Sequence, residues 1–224
     1  MTAVGERASR VKDAYEYLLA EISSFRLRTG APLSENRIAS ELGISRTPVR
    51  EALQLLEKEG LVKRSDSARY AVSQLTIQEA NDACNMLEVL DAYLARKAAM
   101  NMTAEQTAAL REYVELMREA AVAGDSQAWS NADTKFHKTL NAVAGNELVA
   151  STVKETRRRI QRFWLRAASL HHRLESCSDE HAVLVEAMVD KDFDAIESAV
   201  SEHIGHMRER VLDMLRNAAL FMGE

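Results

Sequence analysis

Ser34-Glu35-Asn36-Arg37-Ile38-Ala39-Ser40-Glu41-Leu42-Gly43-Ile44-Ser45-Arg46-Thr47-Pro48-Val49-Arg50-Glu51-Ala52-Leu53 decides how the rest of the chain is read. Ser34 offers a hydroxyl that can accept from an orphan backbone N–H of the following turn, so a helix starts there. Ile38, Ala39 and Leu42 recur at helical spacing. Gly43 supplies the positive-φ position that ends the helix. Ser45 is placed to cap a second helix, and Pro48 falls in its first turn, where a missing N–H costs little. Val49, Ala52, Leu53 and Leu56 give that helix an apolar face, and Gly60 ends it. Two short helices joined by a tight turn form a helix-turn-helix, a shape that presents one helix end to a DNA major groove. Arg46, Thr47 and Arg50 point away from the core at that end. Arg pairs with guanine edges or phosphates, and Thr with phosphates or a thymine methyl. An ordinary helical hairpin with solvated arginines is the other structure this pattern permits.

Working outward, Leu61-Val62-Lys63-Arg64 and Arg69-Tyr70-Ala71-Val72 are short strand-like runs around Ser65-Asp66-Ser67-Ala68. They predict a two-stranded hairpin, with Lys63, Arg64 and Arg69 where such a wing meets a DNA backbone or minor groove. A helix is expected from about Arg7 to Phe25, with Val11, Ala14, Tyr15, Leu18, Leu19 and Ile22 on one face. Residues 1–75 thus form a winged helix-turn-helix domain. They carry 12 Lys+Arg and 10 Asp+Glu, a net of +2, whereas residues 76–224 carry 17 and 24, a net of −7. The basic segment is the one that would face nucleic acid.

Residues 76–224 predict an antiparallel all-α bundle of six to seven helices, making the whole chain mainly α. No proline follows Pro48. Thr76-Ile77-Gln78-Glu79 and Thr103-Ala104-Glu105-Gln106 are capping boxes. The first opens a helix to about Ala99, the second a helix from Ala104 to Ala121. Further helices are expected from Ser126 to Val143, from Glu147 to about Leu170, from Ser178 to Asp190, and beyond an Asp192 cap. No apolar run approaches the roughly 18 residues of a membrane span, and the N-terminus has no apolar signal segment. These features point to a cytoplasmic chain with no membrane partner. Cys84 and Cys177 are far apart, in no metal or redox spacing, and are read as free thiols.

Within the bundle, Asp133 and His137 are four apart and share a helix face beside the apolar Phe136 and Leu140. His181 and His203 lie on two later helices. One carboxylate and three imidazoles converging there would suit a divalent cation, Zn2+ foremost, with Ni2+ or Mn2+ as alternatives. Three half-buried, hydrogen-bonded histidines are the other arrangement the spacing allows. His206, three residues beyond His203, is the second choice for the fourth ligand. The adjacent His171 and His172 are read as surface residues.

Leu33-Ser34-Glu35, the run from Leu42 to Leu53, and Leu56-Glu57-Lys58-Glu59-Gly60-Leu61-Val62 resemble the DNA-binding domain of the GntR family of bacterial transcription regulators. Asp133-Thr134-Lys135-Phe136-His137, Glu180-His181 and His203 resemble the FCD effector domain of its FadR branch. The resemblance implies a winged reader whose DNA contacts are Arg46, Thr47 and Arg50, with Ser45 and the wing behind them. It also implies a dimerising bundle, residues 76–224, that binds a small organic acid at a metal held by Asp133, His137, His181 and His203. The expected partners are a double-stranded DNA operator, the acid and a second copy of the chain. Members that bind acids tend to carry Arg-x-x-Leu-Glu on the first bundle helix. Here Leu87 and Leu90-Asp91 stand at that place, so Arg158, Arg162 and Arg166 become the candidate acid anchors, a solvated basic face being the other arrangement their spacing allows. Repression released by the effector is the expected sense of regulation.

Two other classes remain. A metal-dependent hydrolase would use the same ligands to activate water. No carboxylate base at a telling spacing and no nucleophile motif supports it, and it leaves the reader unexplained. A regulator with a purely structural metal and no small-molecule effector is the closer rival.

Overall fold

The computed structural model describes residues 3–24, 26–64, 69–170 and 173–222. The chain divides into two compact units, Met1–Leu75 and Thr76–Glu224.

In the first unit, helix α1 spans Ala3–Ser23, strand β1 Pro32–Leu33, helix α2 Glu35–Leu42, helix α3 Arg46–Lys58, strand β2 Val62–Arg64 and strand β3 Tyr70–Val72. Ser34 caps α2 by accepting from the Arg37 backbone N–H. Gly43 ends α2 in the left-handed region at φ 64°. Ser45 holds the N-cap position of α3, but its side chain makes no cap hydrogen bond and the residue is exposed beside Arg46. Ala14, Leu18 and Ile22 of α1 pack with Val49, Ala52, Leu53 and Leu56 of α3 into one core. The expected hairpin forms, with Val62 opposite Val72 and Arg64 opposite Tyr70. A third strand joins it: Leu33 pairs antiparallel with Tyr70, giving the order β1-β3-β2. The hairpin turn at 65–68 lies outside the described residues.

In the second unit, helices α4 (Ile77–Asn101), α5 (Ala104–Val122), α6 (Ser126–Ala144), α7 (Glu147–Leu170), α8 (Leu174–Asp190) and α9 (Phe193–Met222) form the bundle. Both threonine capping boxes are present in full. Asp125 caps α6 and Asp192 caps α9 through backbone N–H groups of the following residues. Helix α4 packs against α6, α7, α8 and α9, which makes it the central helix of the unit. Helix α8 starts four residues before the expected Ser178. That serine is fully buried inside the helix, donating to Leu174 O at 2.9 Å and accepting from Trp129 Nε1 at 3.0 Å. A serine that resembled a cap therefore serves α8–α6 packing, and the true start at Arg173 has no side-chain cap to announce it. His171 and His172 lie outside the described residues. Among the described residues no helix is long and apolar enough to cross a membrane.

Candidate nucleic-acid interface and metal centre

Arg46, Thr47 and Arg50 are all exposed at the start of α3, while Pro48 and Val49 beside them are buried. The alternation follows from helix geometry: the apolar face turns inward and carries these three outward. Arg50 donates to Glu35 through Nε (3.0 Å) and Nη2 (2.7 Å), and Arg46 Nε approaches the same carboxylate at 3.9 Å. The Arg50 hydrogen bond, outweighing partial burial, holds the Glu35 carboxyl below its usual range. On the hairpin, Lys63, Arg64 and Arg69 are exposed, and the Arg64 guanidinium lies 5.1 Å over the Tyr70 ring. The seven residues expected to face DNA therefore all lie on the surface of the first unit.

In the bundle, α6 and α8 bring three donor atoms together. His137 Nε2 and His181 Nε2 lie 3.4 and 3.3 Å from Asp133 Oδ1, and 3.3 Å from each other. Donors at about 2.0–2.1 Å from a tetrahedral Zn2+ stand about 3.3–3.4 Å apart, so this triangle has the size of one face of such a shell. His181 Nδ1 lies 2.8 Å from Cys177 O, a pure acceptor, so Nδ1 carries the proton and donates. His181 Nε2 then faces a carboxylate oxygen and another imidazole nitrogen. A shared proton or a cation can satisfy these facing atoms, and backbone-anchored imidazoles are how proteins orient metal ligands.

For His137 and Asp133 the electrostatics favour the ligand forms, neutral imidazole and carboxylate. Burial, helped by the nearby Arg157 guanidinium, pushes His137 down to about 3 against the pull of Asp133. Burial would push Asp133 up, but His137 and His181 outweigh it and hold the carboxyl well below the usual range. Phe136 packs edge-on against both rings, at 4.8 Å from His181 and 5.3 Å from His137, fixing their planes.

His203 on α9 is partly buried and packs edge-on to His181 at 4.7 Å between ring centres. Its Nδ1 donates to Glu180 at 2.8 Å, the carboxylate–imidazole arrangement that frees Nε2 for a ligand role. Burial lowers its pKa despite that carboxylate. His206 is half exposed and bonds the other Glu180 oxygen at 2.8 Å. His203, rather than His206, lines the small cavity that also contains Asp133, Arg157, Cys177 and Trp129.

Cys177 is not an isolated thiol. Its sulfur lies 3.9 and 3.8 Å from Nδ1 of His181 and His203, and the i, i+4 spacing to His181 was the signal for this. Those two nitrogens, however, are committed to Cys177 O and Glu180, and burial raises the thiol well above its ordinary pKa. The Asp133–His137–His181 triangle is the better candidate for a ligand set.

Sequence reasoning also missed Arg157. Its Nη2 donates to Asp91 at 2.6 Å inside the bundle, and its buried Nε has no acceptor. Burial, outweighing this pairing, raises the Asp91 pKa. Of the expected acid anchors, Arg158 is one residue off the cavity-lining position, and the side chains of Arg162 and Arg166 lie outside the described residues. The cavity itself measures about 10 Å³, room for a single water or ion.

A basic winged reader joined in sequence to a helical bundle defines a DNA-binding transcription regulator. Residues 10–72 match the model of the bacterial regulatory proteins, gntR family, and residues 82–206 match the FCD domain. The chain belongs to the GntR family, in the group that carries an FCD domain, and is a DNA-binding transcription regulator rather than an enzyme. It is 30% identical over 197 residues to the "Probable D-xylose utilization operon transcriptional repressor" of Paenarthrobacter nicotinovorans, covering 88% of this chain and 85% of that one. It is 25% identical over 199 residues to the HTH-type transcriptional repressor RspR of Escherichia coli, covering 88% and 86%. The solved structure of E. coli McbR/YncC superimposes with a TM-score of 0.76 at 19% identity, covering 94% and 99%.

Proposed function

We propose that this regulator is a cytoplasmic, homodimeric repressor whose operator affinity falls when a small carboxylate metabolite binds at a metal centre in residues 76–224. The triangle of Asp133 Oδ1 and the Nε2 atoms of His137 and His181, 3.3–3.4 Å on each side, is the observation that carries it. Asp133, His137, His181 and His203 would hold the cation, Zn2+ by donor type, with Ni2+ or Mn2+ also suited. When bound, the cation supplies a Lewis-acidic docking point for a carboxylate. Arg157, not Arg158, is the guanidinium placed to take the other oxygen, because its Nε is buried and unpaired.

Arg157 also suggests how the signal leaves the site. It is tied to Asp91 of α4, and α4 begins at Ile77, directly after the Thr76 cap that follows the reading unit. An acid that draws Arg157 away from Asp91 alters the packing of α4, the helix connected in sequence to the reader. The coupling free energy expected of such a device is about 1–3 kcal/mol. Arg46, Thr47 and Arg50 would read bases or phosphates, with Ser45, Lys63, Arg64 and Arg69 on the backbone side. Two copies would pair through their bundles. Met86, Val89 and Tyr93 on α4 and Leu148 on α7 leave apolar surface exposed there, with Asn146 bonded to Tyr93 at 3.0 Å across the two helices. Sedimentation of Val89→Glu against wild type tests this face, and an unshifted dimer would exclude it.

One observation favours the structural-metal alternative. A cavity of about 10 Å³ admits an ion but not an organic acid unless side chains move. Fluorescence anisotropy separates the two readings. A duplex enriched from a random library by the wild-type protein is titrated in Zn2+, with and without a panel of hydroxy and dicarboxylic acids. Weakened binding with one acid, lost in Arg157→Met, supports the effector reading. Acid-insensitive binding across the panel, with destabilisation on chelation, supports the structural one.

A further inference from the structure

Glu35 stands out on the reading surface because it has the wrong charge. A carboxylate beside Arg46, Arg50 and Arg69 repels the phosphates that a basic reader attracts. Its contribution must therefore come from elsewhere, and the geometry shows where. Glu35 is the first residue of α2, and Arg50 lies in the second turn of α3. The two meet across the turn in a two-pronged fork, Nε to Oε1 at 3.0 Å and Nη2 to Oε2 at 2.7 Å. Arg46 Nε stands 3.9 Å from the same Oε2. The Glu35 side chain is 19% exposed, whereas Arg50 is 45% exposed. The anchor is thus largely covered while the arginine it holds faces outward. An open cleft of about 430 Å³ lies alongside, bounded by Glu35, Asn36, Arg46 and Arg69.

We propose that Glu35 is a positioning residue for sequence reading: its carboxylate fixes the plane and direction of the Arg50 guanidinium before DNA arrives. This rests on Arg50 being a DNA contact. A bidentate contact to a base edge depends on guanidinium orientation, whereas a contact to phosphate depends mainly on charge. Pre-setting the side chain also reduces the rotamer freedom lost on binding. Loss of Glu35 therefore lowers discrimination between sequences more than it lowers affinity.

The test uses the full chain and two probes: a duplex enriched from a random library by the wild-type protein, and an unselected duplex of the same length. Affinities are measured at several salt concentrations for wild type, Glu35→Gln, Arg50→Ala, Arg50→Lys and the Glu35→Gln/Arg50→Ala double variant. Glu35→Gln should bind the unselected duplex as well as wild type or better, while the selected-to-unselected ratio falls about tenfold. Arg50→Lys, which keeps the charge but loses the fork, should lower the ratio similarly. The double variant should discriminate no worse than Arg50→Ala alone, since Glu35 acts through Arg50. An unchanged ratio in Glu35→Gln with a lowered one in Arg50→Ala overturns the positioning role and leaves Arg50 as a reader. Additive losses in the double variant overturn it as well. An unchanged ratio in Arg50→Ala overturns both the role and the reading of Arg50.

Discussion

Removal of the Asp133 carboxylate should abolish stabilisation by metal. Both Nε2 nitrogens approach Oδ1 of Asp133, at 3.4 and 3.3 Å. A cation that binds only the folded protein stabilises it by about 2.7 kcal/mol at a hundredfold excess over its dissociation constant. For a unit of this size each kcal/mol moves the midpoint by about 2–4 °C, so saturating Zn2+ should raise melting by about 5–11 °C. In Asp133→Ala three imidazoles remain, but the carboxylate that completes the triangle is gone, and the rise should shrink below about 2 °C. Removing a buried charge shifts the midpoint of the metal-free variant, so the difference between metal-loaded and metal-free samples is the quantity to compare. Circular dichroism melts of chelator-treated protein, with and without Zn2+, Ni2+ and Mn2+, measure it. A full rise in Asp133→Ala would place the cation elsewhere. No rise in wild type with any of the three would remove the metal centre altogether.

Acid should destabilise the bundle ahead of ordinary carboxylate titration. His137 is pushed down to about 3 in the folded chain from 6.5. The unfolded chain therefore binds a proton first, and stability present above about 6.5 is lost as pH falls toward 3. At pH 5 the loss through this group is about 2 kcal/mol, and urea midpoints of His137→Gln should show a flatter dependence between pH 7 and about 5. Arg157→Met leaves Asp91 buried without its partner and should cost about 3–5 kcal/mol in chemical denaturation. Asp91→Leu/Arg157→Met should recover most of that loss while remaining blind to acids in the anisotropy titration; a double variant that still responds would exclude Arg157 as the anchor.

Much of this molecule obeys short-range rules, and those parts were legible. Ser34, Gly43, Thr76, Thr103 and Asp192 act within a turn of their own positions, so their effects follow from sequence alone. Period-3.6 apolar residues likewise marked the buried face of α3. Ser178 misled because it has the chemistry of a cap, while a partner 49 residues away, Trp129, decides its place. Strand β1 was invisible since Pro32–Leu33 is extended only by pairing with β3.

Sequence by itself determined the helix-turn-helix, the six bundle helices, the exposure of Arg46, Thr47 and Arg50, and the shared face of Asp133 and His137. Tertiary structure decided which side chains meet. Adjacent residues on a helix point about 100° apart, so only the rotation and crossing of α4 and α7 selects Arg157 over Arg158 as the partner of Asp91. The same packing turns His181 Nε2 toward Asp133, sets Cys177 beside two imidazoles, and holds Arg50 on Glu35. Convergence of residues far apart in the chain depends on rigid-body helix placement, which no local pattern encodes.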